Sequence, residues 1–166
     1  MPGPYDKIIK TLHTATDKVL RTFGNSVNLK IQKNIESGKD LDDKPFKELS
    51  PDSTIPERAR KGFDNRPLIR SGKLRKTQVK NSKLKVTIKM TGKKKSIHYG
   101  ALHNEGYVTS SKSAFPNKRV PARKWFGIPK DFTGNGKEAK KMKQQVRNII
   151  GSAFRGITRQ RIRGGR

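Results

Sequence analysis

The segment KLKVTIKM, residues 83–90, decides which class of fold this chain adopts. Its apolar side chains, from Leu84 to Met90, stand at every second position and alternate with lysine and threonine. Since successive side chains of a strand point to opposite faces of a sheet, the alternation predicts a strand with one buried and one basic face. The preceding run LRKTQVK, residues 74–80, completes a predicted hairpin, with Asn81-Ser82 as its turn.

Stretches with helical periodicity lie on both sides of this hairpin. Apolar residues recur at intervals of three and four between residues 8 and 35, which predicts a long N-terminal helix that ends near Gly38. FGNS at residues 23–26 predicts a kink or a division into two helices. A second apolar stripe begins near Lys137 and predicts a C-terminal helix. The order helix, loop, strands, helix indicates an α+β fold with a small antiparallel sheet.

Residues 38–72 connect the first helix to the hairpin and contain four prolines, which exclude long regular structure. The segment is nevertheless too apolar for a free linker. We expect an ordered proline-rich loop that packs on the chain itself or on a neighbour. Its large apolar residues are Phe46, Leu49, Ile55, Phe63, Leu68 and Ile69.

The chain length of 166 residues suits one domain. We assign residues 1–158 to a single α+β domain. The segment TRQRIRGGR that ends the chain predicts a flexible basic tail, residues 159–166. No internal repeat is present.

The charge of the chain is extreme, with 40 Lys and Arg against 13 Asp and Glu, a net +27. Residues 1–60 contribute only +2 of it. Such a charge attracts polyanions, so the expected partner is nucleic acid or an acidic protein surface. With 30% hydrophobic residues the core is expected to be thin and to gain stability from neighbouring subunits or a polyanion.

Basic residues outside the predicted core are the candidates for contact with DNA phosphates. Few aromatic residues accompany them, so we expect contacts that are independent of base sequence. The candidates are Lys93, Lys94, Lys95, Lys118, Arg119, Arg123, Lys124, Arg155, Arg159, Arg161, Arg163 and Arg166.

Enzymatic and metal chemistry find little support. IHYGALHNEGY, residues 97–107, holds two histidines, but His98 and His103 are five positions apart. On a helix they diverge by about 140°, and on a strand they face opposite sides, so they do not share an ion. We expect Ile97, Tyr99 and Ala101 to pack inward and His103 to make a structural hydrogen bond.

Other signals of chemistry are equally weak. The chain has no cysteine, which excludes disulfides and thiolate ligands. Residues 61–136 offer only three carboxylates, which disfavours a nuclease. GNGK, residues 134–137, lacks the spacing of a phosphate loop and is read as a helix start. No signal peptide, membrane span, cofactor or catalytic residue is expected.

Four short motifs in order resemble those of the phage virion morphogenesis family, the tail-completion proteins of tailed bacteriophages. They are a Leu-Ser-Pro loop followed by a threonine, Pro-Leu-Ile-x-Ser-Gly-x-Leu, Tyr-x-x-x-His-x-x-Gly, and Pro-Ala-Arg followed by an aromatic residue and a glycine. The resemblance spans about residues 1–155. The basic Lys93–Lys95 loop and the arginine-rich tail lie outside these motifs. The residues that carry it are Leu49, Ser50, Pro51, Thr54, Pro67, Leu68, Ile69, Ser71, Gly72, Leu74, Tyr99, His103, Gly106, Pro121, Ala122, Arg123, Phe126 and Gly127.

The resemblance implies a non-enzymatic protein of the virion that acts at the head–tail junction or tail end. It implies a homo-oligomeric ring, with a hexamer as the expected size, that joins the tail to the filled head around the DNA channel. Its partners would be neck, connector or tail-tube proteins and packaged DNA, and it would reside in the host cytoplasm during assembly. In that setting His103 and Gly106 would shape a turn of the fold. The alternative is a general, sequence-independent nucleic-acid-binding protein of the DNA-compacting or ribosomal type.

Overall fold

The computed structural model describes residues 4–49, 54–62, 65–68, 77–91, 94–113 and 116–163. These residues form an α+β fold, as the sequence predicts. Along the chain, a long helix comes first, two two-stranded antiparallel sheets follow, and a second long helix comes last. The elements are α1 (Pro4–Glu36), α2 (Thr54–Arg60), β1 (Thr77–Ser82), β2 (Lys85–Met90), α3 (Lys94–Glu105), β3 (Tyr107–Val108), β4 (Arg119–Val120), a 3-10 turn (Lys130–Phe132) and α4 (Lys137–Arg163).

Helix α1 runs through FGNS without interruption, so the predicted division into two helices is wrong. Gly24 is buried, and a Cβ atom built on it would overlap Cγ1 of Val86 and lie 3.2 Å from Cγ1 of Val79. The glycine therefore lets the β1–β2 hairpin lie directly on the helix. This close approach explains why a glycine stands inside the helix, although glycine costs about 1 kcal/mol in helix propensity relative to alanine.

The β1–β2 hairpin has the predicted strands but a different turn. Ser82 pairs with Lys85, which leaves Lys83 and Leu84, rather than Asn81-Ser82, as the two turn residues. Leu84 has a φ of +53° and is exposed, so it does not belong to the buried face. Its backbone N–H donates a hydrogen bond to Oδ1 of Asp17 on α1, at 3.0 Å. This bond secures the tip of the hairpin.

The core is small and lies where the C-terminal half of α1 meets α4 and two loops. Val27, Ile31 and Ile35 of α1 are almost completely buried, as is Trp125. Phe46 and Leu68 show that the proline-rich segment contributes buried side chains in its described parts. The buried cluster consists of Val27, Ile31, Ile35, Phe46, Leu68, Trp125, Phe132 and Met142.

Helix α4 continues to Arg163, beyond the point where the sequence predicts a flexible tail. Residues 158–163 extend the helix because no proline or glycine interrupts TRQRIR. Residues 159–163 of the predicted tail are therefore helical, and residues 164–166 lie outside the described chain. No helix of the described residues combines the length and hydropathy that crossing a membrane requires.

Candidate functional site

The stretch at residues 97–107 forms most of α3 and the turn after it, not an extended segment. Ile97 and Tyr99 are 38% and 41% exposed, and Ala101 is exposed too, so the expectation that these three pack inward is wrong. Alternate residues do not share a helix face, whereas residues three or four apart do. Gly100 and His103 are accordingly the buried pair.

His103 lies between two tyrosine rings. Its ring centroid is 4.2 Å from that of Tyr99 and 5.5 Å from that of Tyr107, both in edge-on geometry. Among the described residues, neither ring nitrogen has a hydrogen-bond partner, so the expected side-chain hydrogen bond is not seen there. Burial, reinforced by the charges of Arg123 and Arg58, lowers the pKa of His103 to about 4. The imidazole is therefore neutral at physiological pH.

The neighbours of His103 oppose a metal site. The charged groups that help to lower its pKa, Arg123 and Arg58, are both arginines, which repel a cation. Across the residues that the structure describes, no group of three or more His, Asp or Glu side chains converges. The chemistry available around His103 is packing and hydrogen bonding.

Arg123 joins the segment after β4 to the proline-rich loop. Its Nε donates to the carbonyl oxygen of Lys47 at 3.2 Å, and its Nη2 donates to the carbonyls of Lys47 and Glu48 at 3.1 and 3.3 Å. Its backbone N–H donates to the carbonyl of His103 at 2.8 Å. Burial lowers the pKa of the guanidinium. Only 4% of the surface of Arg123 is exposed, so the side chain is unavailable to phosphates. This argues against its predicted contact with DNA and fits its place in the family motif.

Trp125 and Asn104 complete the same junction. The Trp125 side chain is fully buried, and its Nε1 donates to the carbonyl of Gly100 at 3.1 Å. Oδ1 of Asn104 accepts hydrogen bonds from the backbone N–H groups of Trp125 and Phe126, both at 3.0 Å. Sequence reasoning missed Asn104. The only available signal was its spacing, since residues 100, 103 and 104 share one helix face.

Gly106 ends α3 with a φ of +79°, a left-handed conformation that favours glycine. A Cβ atom there would lie 2.7 Å from the backbone nitrogen of Ala122 and 3.1 Å from the carbonyl oxygen of Val120. The turn predicted at this glycine is present. The strand that follows α3 can therefore double back against the segment that carries Arg123. We call Tyr99, His103, Asn104, Arg123 and Trp125 the motif cluster.

The remaining residues of the family motifs surround this cluster or lie outside the described chain. Leu68 is buried with a φ of +65°, and Leu49 and Pro121 are half-buried. A Cβ atom on Gly127 would lie 2.8 Å from Cδ1 of Leu41. Thr54 begins α2, and its side chain is not described. Pro51, Ile69 and Gly72 lie outside the described residues.

The predicted phosphate contacts come from several separate elements. Lys118, Arg119, Lys124 and Arg155 are exposed. The backbones of Lys94 and Lys95 begin α3, and those of Arg159, Arg161 and Arg163 lie in the last turns of α4, but their side chains are not described. Lys93 and Arg166 lie outside the described residues.

Comparison with known proteins gives one match. Residues 5–134 match the family model described as the phage virion morphogenesis family, which is more than three quarters of the chain. The matched region runs from α1 to the turn before α4 and contains the whole motif cluster. No curated protein and no solved structure matches.

Proposed function

This chain belongs to the phage virion morphogenesis family, and on that premise we propose that it is a tail-completion protein of the head–tail junction. The family gives it a structural role in assembly of a phage virion. The finer proposal is that copies form a ring, expected to be a hexamer, around the DNA channel. The ring would contact neck, connector or tail-tube proteins and would require no enzymatic step.

One observation supports contact between copies, namely the apolar surface that α1 and α4 leave exposed. Ala139 and Met142, at the start of α4, are buried, but Ile150 and Phe154 further along are 37% and 50% exposed. Ile9, near the start of α1, is 51% exposed. Large apolar side chains that remain exposed to water contribute nothing to the hydrophobic stabilisation of the chain. Their burial against a second copy would supply that free energy to the assembly.

A groove between the two helices adds to this surface. It has a volume of about 600 Å³, and Phe23, Met142 and Val146 are among its lining residues. Grooves of this kind accept apolar side chains from a neighbouring molecule. The groove and the exposed residues of α4 together supply apolar surface that a neighbouring copy would cover in the ring.

The distribution of charge is compatible with such contacts. The turn after α1 carries Asp40, Asp42 and Asp43, whereas residues 137–166 contain ten basic residues and one acid. In a ring, Asp40 and Asp42 of one copy would attract the basic helix of the next, since Asp43 already pairs with Lys30. Contacts of this kind set orientation more than affinity.

Sedimentation velocity of the full chain tests the ring. The wild-type protein should sediment as one closed oligomer, and Phe154→Glu should shift the population towards monomer because a carboxylate would replace buried aromatic surface. Gln145→Glu adds the same charge at an exposed polar position of the same helix and should leave the oligomer intact. A monomeric wild-type protein both in solution and in imaged particles would contradict the proposal.

The alternative function, sequence-independent binding of nucleic acid, rests on the net charge of +27. It differs from the ring proposal in requiring no defined oligomer. The two are compatible if DNA is a further partner of the assembled ring.

A further inference from the structure

The outer face of the β1–β2 hairpin is strongly basic. The pairing register places Lys80 of β1 on the same face as Lys85 and Lys89 of β2, and Lys83 stands in the turn. All four lysines are exposed. We infer that this face binds the phosphodiester backbone of duplex DNA.

The geometry of the face follows from the strand register. Lys80 pairs with Thr87, which lies midway between Lys85 and Lys89. With a rise of about 3.3 Å per residue and strands about 4.8 Å apart, Lys80 lies roughly 8 Å from each of those lysines, which are themselves roughly 13 Å apart. Three ammonium groups on flexible stems at these separations can reach successive phosphates, because duplex DNA carries one charge per about 1.7 Å of its axis.

The hairpin holds this face outward on a rigid support. Its other face, with Val79, Val86 and Ile88, packs on α1 at Gly24. Oγ1 of Thr77 accepts a hydrogen bond from Nε2 of Gln32 at 3.2 Å and donates one to Oδ1 of Asn28 at 2.5 Å. The lysine face therefore cannot turn inward without loss of these contacts.

The lysines of the hairpin are not neutralised within the described part of the chain. None of the four has an ion pair or a side-chain hydrogen bond there. By contrast, Lys30 lies 2.8 Å from Asp43 and 3.3 Å from Asp131. The carboxylate of Asp17 is near the hairpin tip, but it accepts the backbone N–H of Leu84 from the α1 side.

The sequence around the hairpin strengthens the charge. Residues 65–104 contain twelve Lys and Arg and no Asp or Glu. Like charges on neighbouring strands repel one another. The stability of the hairpin therefore does not explain why lysines stand on this face. Lysines on exposed strands do discourage edge-to-edge pairing, and that is the competing explanation.

The composition of the face favours DNA over an acidic protein. Apart from the lysines it carries only Gln78, Ser82 and Thr87. Protein interfaces have apolar or aromatic centres and are depleted in lysine, whereas DNA interfaces are polar and strongly basic. The face also differs from the contacts predicted from the sequence alone, which are residues 93–95, those around β4 and those at the end of α4.

Fluorescence anisotropy with a labelled 30-base-pair duplex of random sequence tests the inference on the full chain. Replacing Lys80, Lys85 and Lys89 together by Gln should weaken binding and reduce the slope of log affinity against log salt by up to about 2.7, since each phosphate contact contributes about 0.9. The matched control replaces Lys7, Lys10 and Lys18 of α1, which are equally exposed, and should change the slope little. Replacing the three hairpin lysines by Arg should preserve the wild-type slope.

Three outcomes would overturn the inference. An unchanged slope in the hairpin variant would show that these lysines do not contact DNA and serve only to discourage edge-to-edge pairing of strands. An equal decrease of the slope in the hairpin and control variants would show that binding depends on the net charge of the protein and not on this face. Displacement by polyglutamate at lower charge concentration than by unlabelled duplex would point to an acidic protein instead. The role in DNA binding deepens the proposed function but is tested separately, because sedimentation of the same variant reports whether the ring forms.

Discussion

Acid should destabilise this protein through His103 before its carboxylates titrate. Burial lowers the pKa of His103 in the folded chain to about 4, against 6.5 for an exposed imidazole. The folded state therefore favours the neutral ring. The resulting stability is complete above pH 6.5 and is lost as the pH falls through 4. From these two values we expect a loss of about 2 kcal/mol between pH 7 and pH 5.

The carboxylates contribute in a lower window. The pKa values of Asp43 and Glu138 are lowered in the fold, chiefly by hydrogen bonds from Lys30 and Lys141, from the usual values of 3.8 and 4.5. Their contribution to stability is present above those usual pKa values and declines below them, so it changes little between pH 7 and pH 5. This interval isolates His103.

Urea unfolding monitored by fluorescence of Trp125, the only tryptophan, measures the effect at each pH and at fixed protein concentration. His103→Leu should remove most of the loss between pH 7 and pH 5, because no buried imidazole remains to be protonated. His98→Gln, an exposed position on the same helix, should retain it. A His103→Leu protein that still loses about 2 kcal/mol over this interval would refute the assignment to His103.

Three further predictions concern other parts of the chain. Gly24→Ala should lower the melting temperature despite the better helix propensity of alanine, because its Cβ would overlap Val86; a raised melting temperature would contradict the close packing of hairpin on helix. Arg123→Gln should cost about 2–3 kcal/mol in urea unfolding through its lost bonds to the carbonyls of Lys47 and Glu48, without changing the salt dependence of DNA binding. An unchanged stability with a reduced salt slope would reverse that assignment. Deletion of residues 159–166 removes four arginines and should lower the salt slope by up to about 3–4 while the oligomer survives; an unchanged slope would show that the tail does not contact DNA.

The sequence predicts the elements whose periodicity is strong. The alternation at Val86, Ile88 and Met90 identifies β2, and the three- and four-residue spacing identifies both long helices. The turn was misplaced because Asn81-Ser82 has typical turn residues, while register and the bond to Asp17 put Leu84 there instead. Pairing across strands and contacts with a distant helix are not encoded in local composition.

The motif cluster was predicted only in part. The turn at Gly106 was expected from the family resemblance, but the helix before it was missed, since α3 is only weakly amphipathic. His103 was expected to form a hydrogen bond, yet within the described part of the chain its ring nitrogens have no partner and it lies between the rings of Tyr99 and Tyr107. The burial of Arg123 could not be predicted, because its hydrogen-bond acceptors are backbone carbonyls and these do not depend on residue type.

The central claim, a ring that joins tail to head, is tested most directly by imaging the particle. Electron cryomicroscopy of virions that carry a density label at the C-terminus of this chain would locate it. The account predicts label density repeated around the axis of the DNA channel at the head–tail junction. Label that is absent from mature particles, or that is distributed along the tail or over the capsid, would contradict it.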